Sequence, residues 1–362
     1  MRAGFVLVVA VGVSVLMAGC SSNGSSSGSS GFVYVVTQGN TSVSTFTVDS
    51  STGNLTATGT GVATGTTPVA MAFNPAKTVA FVVNSGSDDI SRYSVGSDGT
   101  VAAVSGNVTA GTTPVALAVN AAGTFLFVAN RGSDDISVFS IASGGSDLTL
   151  VGTFAADPDP VAVAVSPSGS FLYVANQVNA TVSAYTIDSG GALTEVLGSP
   201  YVTGLAPSGL VIPPSGNFLY VANSGSNNIS AFSICNVING SCPAADGSLV
   251  PVTNSPIGAG LGPVSMAVDP TGAFLYVADE GSNQVSGFKL NASTGELTAT
   301  TPATVSTGLH PVQVVVQGST FVYTANIGAN SISGFTINAT TGALTTKAPF
   351  STNPQPAALL AK

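Results

Sequence analysis

The sequence predicts an all-β fold, a seven-bladed β-propeller of four-stranded antiparallel blades whose ring is closed by N- and C-terminal strands sharing one blade. Three observations carry this. First, an apolar strand ends seven times in a polar anchor, at Thr37, Asn84, Asn130, Asn176, Asn223, Asp279 and Asn326, spaced 47, 46, 46, 47, 56 and 47 residues apart; that is the period of a propeller blade. Second, six residues after each anchor stands an aliphatic residue followed by Ser, and nine residues after it an aromatic ring, from Phe46 and Tyr93 to Phe335. Third, the two ends are complementary. The repeats begin inside a blade, at Phe32-Val33-Tyr34-Val35-Val36, and stop at Pro356-Ala357-Ala358-Leu359-Leu360, the strand that the opening blade lacks.

In chain order, residues 1–20 read as a targeting segment, with Arg2 as a minimal positive region and an apolar run from Phe5 to Met17. Leu16-Met17-Ala18-Gly19-Cys20 resembles a bacterial lipobox, so cleavage before Cys20 is expected to leave its thiol as the lipidation site. The alternative is an ordinary secretory signal with an incidental Cys. Residues 21–31, nearly all Ser and Gly, read as a flexible tether, and residues 32–362 as the propeller. The expected location is therefore outside the cytoplasm, on a membrane, periplasmic or at the cell surface.

The third repeat shows how a blade is written. Pro114-Val115-Ala116-Leu117-Ala118-Val119 and Phe125-Leu126-Phe127-Val128-Ala129-Asn130 are followed, after a turn, by Ile136-Ser137-Val138-Phe139-Ser140-Ile141, with a looser fourth segment near Leu148. Runs of β-branched and aromatic residues bounded by Gly, Pro, Asn and Asp read as strands. Their near-continuous apolar character implies that both sheet faces are covered, as in blades stacked around an axis. One aromatic per blade at a fixed position reads as inter-blade packing. Each anchor is expected to sit in a left-handed turn and to cap it with its own side chain. Pro68, Pro114, Pro160, Pro207, Pro263, Pro311 and Pro356 open the seven first strands, where a missing donor is tolerated.

The 56-residue interval holds an insertion flanked by Cys235 and Cys242, with Asn239-Gly240 as a hairpin-turn signal. With Cys20 lipidated, these two thiols are expected to form a disulfide in an oxidising compartment; two unpaired thiols are the alternative.

Composition bounds the function. Only 6% of residues are charged against 44% apolar, the net charge is −9 and the pI is near 4.1, so a nucleic-acid partner, which requires clustered Lys and Arg, is excluded. In a four-stranded blade the second-to-third-strand turns and the blade-to-blade connections share one face. That face carries Asp88, Asp89, Asp134, Asp135, Asp157, Asp159, Asp279 and Glu280, opposed by Arg131. A phosphorylated ligand would be repelled there, whereas Ca²⁺, which takes several carboxylate and carbonyl oxygens, would be suited; Asp88, Asp134 and Asp157 are the candidate Ca²⁺ ligands. Solvated charges that keep a weakly charged protein soluble are the competing reading. No zinc or transition-metal pattern and no phosphate-cradling Gly-rich loop is present.

The recurring Leu-Tyr-Val-Ala-Asn, at Leu172-Tyr173-Val174-Ala175-Asn176 and Leu219-Tyr220-Val221-Ala222-Asn223, resembles the YVTN repeat. With the turns Pro167-Ser168-Gly169 and Pro270-Thr271-Gly272, residues 32–360 are similar to the lactonase-type seven-bladed propellers, which include 6-phosphogluconolactonase. Hydrolases of that family are implied to use His, Arg and acidic side chains near the channel mouth. This chain departs from the pattern: it has one His, His310, and one Arg in a strand-to-strand turn, Arg131. Two functions follow. One is a monomeric, lipid-anchored module that binds a protein, glycan or small molecule through its acidic face. The other is a lactonase-like hydrolase with His310 as the candidate catalytic residue.

Overall fold

The computed structural model describes residues 31–236, 242 and 244–362. The expected signal segment, the lipobox-like Cys20, the expected tether apart from Gly31, and the expected Asn239-Gly240 turn lie outside the described residues. Seven antiparallel sheets form seven blades, counted here from the one that holds the first strand. Each blade runs from an innermost first strand to an outermost fourth. In blade 3 the strands are Pro114–Val119, Phe125–Asn130, Asp135–Ile141 and Leu148–Ala155. The innermost strands of the other blades are Pro68–Phe73, Pro160–Val165, Pro207–Val211, Pro263–Val268, Pro311–Gln317 and, for blade 1, Pro356–Ala361. Each touches the innermost strands on both sides, so they make a closed ring.

Closure is as expected from the two ends. The C-terminal strand pairs with Gly31–Thr37, Val35 facing Leu359 and Tyr34 facing Leu360. The C-terminal strand thereby covers the edge of Gly31–Thr37 that the opening blade would otherwise leave bare, which is how a propeller avoids edge-to-edge association. In every blade the first-to-second-strand register shifts beside the opening proline, because a residue without an N–H starts the ladder most easily at a bulge. The fourth strand is split in blades 4, 5 and 7, where Pro200, Pro256 and Pro349 interrupt the donor row.

The core is built between blades. Each apolar cluster mixes residues of neighbouring sheets, as where Val69, Phe81 and Val83 of blade 2 meet Leu117, Leu126 and Phe139 of blade 3. The repeated aromatics Phe46, Tyr93, Phe139, Tyr185, Phe232, Phe288 and Phe335 are all buried. Tyrosines of the second strands add polar ties: Tyr173 donates to the Gly247 carbonyl of the next blade at 2.8 Å, and Tyr220, Tyr276 and Tyr323 donate likewise to Gly295, Gly342 and Gly53. Gly247 cannot be replaced, since its φ is +80° and an added Cβ would lie 2.3 Å from Phe171.

The Cys235–Cys242 disulfide is formed, with Cα atoms 5.3 Å apart. It ties off the one long insertion, and the short loop it closes limits its contribution to about 2 kcal/mol.

One expectation about the anchors is corrected. The anchor residues end their strands in extended backbone, and the left-handed residue comes four positions later: Thr41, Asp88, Asp134, Ala180, Asn227, Asn283 and Asn330 all have φ between 45° and 55°. The anchor is buried instead, and it clamps the turn from below.

Candidate functional site

The upper face, with its second-to-third-strand turns and blade-to-blade connections, is assembled from one repeated set of hydrogen bonds. In blade 2 the Asn84 amide donates to Asp89 at 2.6 Å and to Ser91 at 2.9 Å, five and seven residues on. Asn130 makes the same pair with Asp135 and Ser137, Asn176 with Thr181 and Ser183, Asn223 with Asn228 and Ser230, and Asn326 with Ser331 and Ser333. Asp89 and Asp135 thus occupy a position that Thr, Asn or Ser fills elsewhere, and their carboxylates serve as turn acceptors.

The left-handed residue of each turn reaches the following blade. Asp88 accepts from the Thr113 N–H at 2.7 Å and Asp134 from the Asp159 N–H at 2.8 Å; Asn227, Asn283 and Asn330 accept in the same way from Gly262, His310 and Gln355. An amide does there what Asp88 and Asp134 do, so the task needs an acceptor rather than a charge. The donors also share a feature: the residue before each opening proline, from Thr67 to Gln355, has φ between 50° and 62°. A residue before proline normally prefers extended backbone; at Thr113, Asp159, Gly262, His310 and Gln355 the bond from the preceding blade helps hold this less populated conformation.

Asp157 accepts from Thr181 at 3.1 Å. Asp88, Asp134 and Asp157 are therefore each occupied by a different partner, and no group of three or more His, Cys, Asp or Glu side chains able to hold a metal exists among the described residues. These carboxylates, expected as Ca²⁺ ligands, are used one by one to join turns and blades.

Two charged pairs occupy equivalent positions with opposite sense. Arg131, just after the blade 3 anchor, grips Asp159, just before the blade 4 proline, through two nitrogens, the longer contact being 3.2 Å. Glu280, just after the blade 6 anchor, lies 3.5 Å from Nδ1 of His310, just before the blade 7 proline. The anchor of blade 6 is itself unusual. Asp279 replaces Asn, with the amide of Gln284 standing where Asp89 and Asp135 stand in blades 2 and 3. Asp279 is fully buried; Ser286 donates to one carboxylate oxygen at 2.6 Å and the other has no partner among the described residues. Desolvation pushes its pKa up to about 7, against the opposing pull of Ser286 and the Gly260 N–H.

A model of the lactonase seven-bladed β-propeller matches residues 25–115, 99–205, 199–316 and 245–358, nearly the whole propeller. The chain belongs to that family. Among solved structures it is similar to the periplasmic gluconolactonase of Pseudomonas aeruginosa, at 19% identity with a TM-score of 0.80, over 92% of this chain and 99% of the other. A 6-phosphogluconolactonase candidate of Bacteroides uniformis matches at 19% identity and TM-score 0.80, over 92% and 100%. A Lactobacillus plantarum protein matches at 21% and 0.79, over 92% and 99%. No curated protein matches. At such identities the likeness establishes the propeller and not an activity.

Sequence reasoning missed an apolar part of the upper face. Two residues before the opening proline, blades 5, 6 and 7 carry Leu205, Leu261 and Leu309, which are 66%, 57% and 56% exposed. Blades 2 and 3 have Thr66 and Thr112 at this position. Val178, in the blade 4 turn, is 69% exposed and continues the arc. The signal was present as a leucine in an otherwise polar connection, repeated in three successive blades. Its exposure became visible only with the fold.

Proposed function

We propose that this protein is an exported, lipid-anchored propeller that binds a partner through its upper face and does not turn over a lactone. The observation that supports this best is the row of exposed leucines at one position of three neighbouring blades. Large apolar side chains in register on a polar surface mark an interaction site, and the acidic and amide turns beside them supply its polar rim. Anchoring fits the same orientation. Gly31 opens a strand that rises from the lower face, so a tether leaving there would point the upper face away from the membrane. Acyl chains contribute about 0.8 kcal/mol per buried CH₂; the Cys20→Ser protein is expected to leave the membrane fraction, and a wild-type chain found wholly soluble would refute the anchor.

Binding is tested with peptides selected from a display library on the wild-type chain. Joint Leu205→Ser, Leu261→Ser and Leu309→Ser replacement should weaken them about 100-fold, since burying even part of three leucine side chains in an interface is worth about 1 kcal/mol each, with an unchanged melting temperature because none of the three is in the core. Peptides that bind the triple variant equally well would place recognition elsewhere.

The lactonase reading is favoured by one observation, the pairing of His310 with Glu280 at the end of an innermost strand. A carboxylate orients an imidazole for proton transfer. The guanidinium of Arg131, the candidate stabiliser of a developing oxyanion, is held by Asp159 on another part of the ring. Neither glucono-1,5-lactone nor its 6-phosphate should be hydrolysed above the buffer rate. Turnover that disappears in His310→Ala would overturn the binding reading in favour of the enzyme.

A further inference from the structure

The opposite mouth of the propeller channel carries a different kind of site. On the lower side lies a cavity of about 260 Å³, walled by Ile212 of blade 5, Met266 and Val268 of blade 6, Val314 and Val316 of blade 7 and Leu360 of blade 1, with Lys77 of blade 2 at its lip. Inter-blade bonds one residue further up the same strands close it above: Ser265 accepts from the Val314 N–H at 3.1 Å and Gln313 from the Leu359 N–H at 2.5 Å. The polar backbone is thus satisfied above the cavity, and the walls below are mainly aliphatic, with Gln317 and Lys362 joining Lys77 as the polar part of the lining. A cavity of this size and lining suits a small apolar group with one polar end.

Lys77 marks where that polar end would lie. It occupies the first-to-second-strand turn, at the position filled in the next four blades by Gly123, Gly169, Gly216 and Gly272, all with φ between 69° and 76°. Lys77 keeps the left-handed backbone, with φ 54°, although a side chain there is disfavoured. Backbone strain at a cavity lip is a reason to look for function. Its ammonium reaches the Ala361 carbonyl only at 3.5 Å and forms no ion pair with a described carboxylate. The neighbouring Lys362, by contrast, donates to the Gly96 carbonyl at 2.7 Å. Burial, and next the charge of Lys362, lower the Lys77 pKa, as expected for a cation short of compensation.

From the strained lysine at the lip of an aliphatic cavity, we infer that the lower channel mouth binds a small amphipathic carboxylate, its tail among Met266, Val268 and Val314 and its carboxylate on Lys77. This site is independent of the upper face and of any partner bound there.

Calorimetric titration of the full chain with octanoate and with octanol tests it. Octanoate should bind about tenfold more tightly than octanol, the difference being the charge-assisted bond to Lys77. Lys77→Gly restores the residue used by the other blades, so folding is not threatened; it should remove that tenfold preference and leave octanol binding unchanged. Val268→Trp, which fills the cavity, should abolish binding of both. The inference fails if wild type binds neither ligand at millimolar concentration, or if Lys77→Gly binds octanoate as tightly as wild type.

Discussion

Removal of residues 356–362 should abolish cooperative unfolding of the propeller and leave an aggregating chain. The strand lost supplies Ala357, Ala358, Leu359 and Leu360, all at most 1% exposed, and it is the innermost strand of blade 1 and a link in the central ring. Burying the two leucines alone is worth about 2–3 kcal/mol each. The ladder to Gly31–Thr37 and the Gln313 bond to Leu359 are lost as well. The sum reaches roughly the 5–15 kcal/mol net stability of a whole domain, and the bared edge of Gly31–Thr37 becomes a template for association. Thermal unfolding followed by circular dichroism, with light scattering, checks this. A truncated chain that melts at the wild-type temperature would mean that the first strand of the opening blade comes from elsewhere.

The second large effect concerns Asp279. Its folded pKa of about 7 lies above the ordinary carboxylate value near 4, so between these values the folded chain holds a proton that the unfolded chain has released. The stabilisation is complete below about pH 4 and is lost as pH rises through about 7. A shift of this size corresponds to at most about 4 kcal/mol. Asp279→Asn installs the residue that five other blades use as anchor, and the amide can donate to Ser286 as Asn84 does to Ser91. The variant should therefore unfold at a higher temperature than wild type at pH 8, by a margin that shrinks towards pH 5. Equal melting temperatures at both pH values would show that Asp279 is not a buried titrating group.

The two experiments address features of unequal visibility. Ring closure was readable because the template strand absent at Phe32 reappears at Pro356, and a strand's place in a blade follows from local apolar runs and turn residues. The anchors were readable as turn residues for the same reason. Their conformation was not: seven polar residues at one spacing suggest a left-handed cap, yet only the packed blade shows that the anchor is buried and that the residue four positions later takes the positive φ. Asp88 and Asp134 show the same limit. Acids at a turn look like a surface charge cluster, and their acceptance of a backbone N–H from the next blade depends on how two repeats meet.

By itself, then, the chain determined the number of blades, the strand order within each, the closing strand and the disulfide pair, because these follow from periodicity, from strand and turn chemistry, and from thiols brought together by a short loop. The tertiary structure alone decided which charges face one another, as Arg131 with Asp159 and Glu280 with His310, which leucines stay in water, and where Lys77 meets an aliphatic cavity formed by distant repeats. Those outcomes depend on contacts between residues tens to hundreds of positions apart, and such distances are set by the closing of the ring rather than by any local pattern.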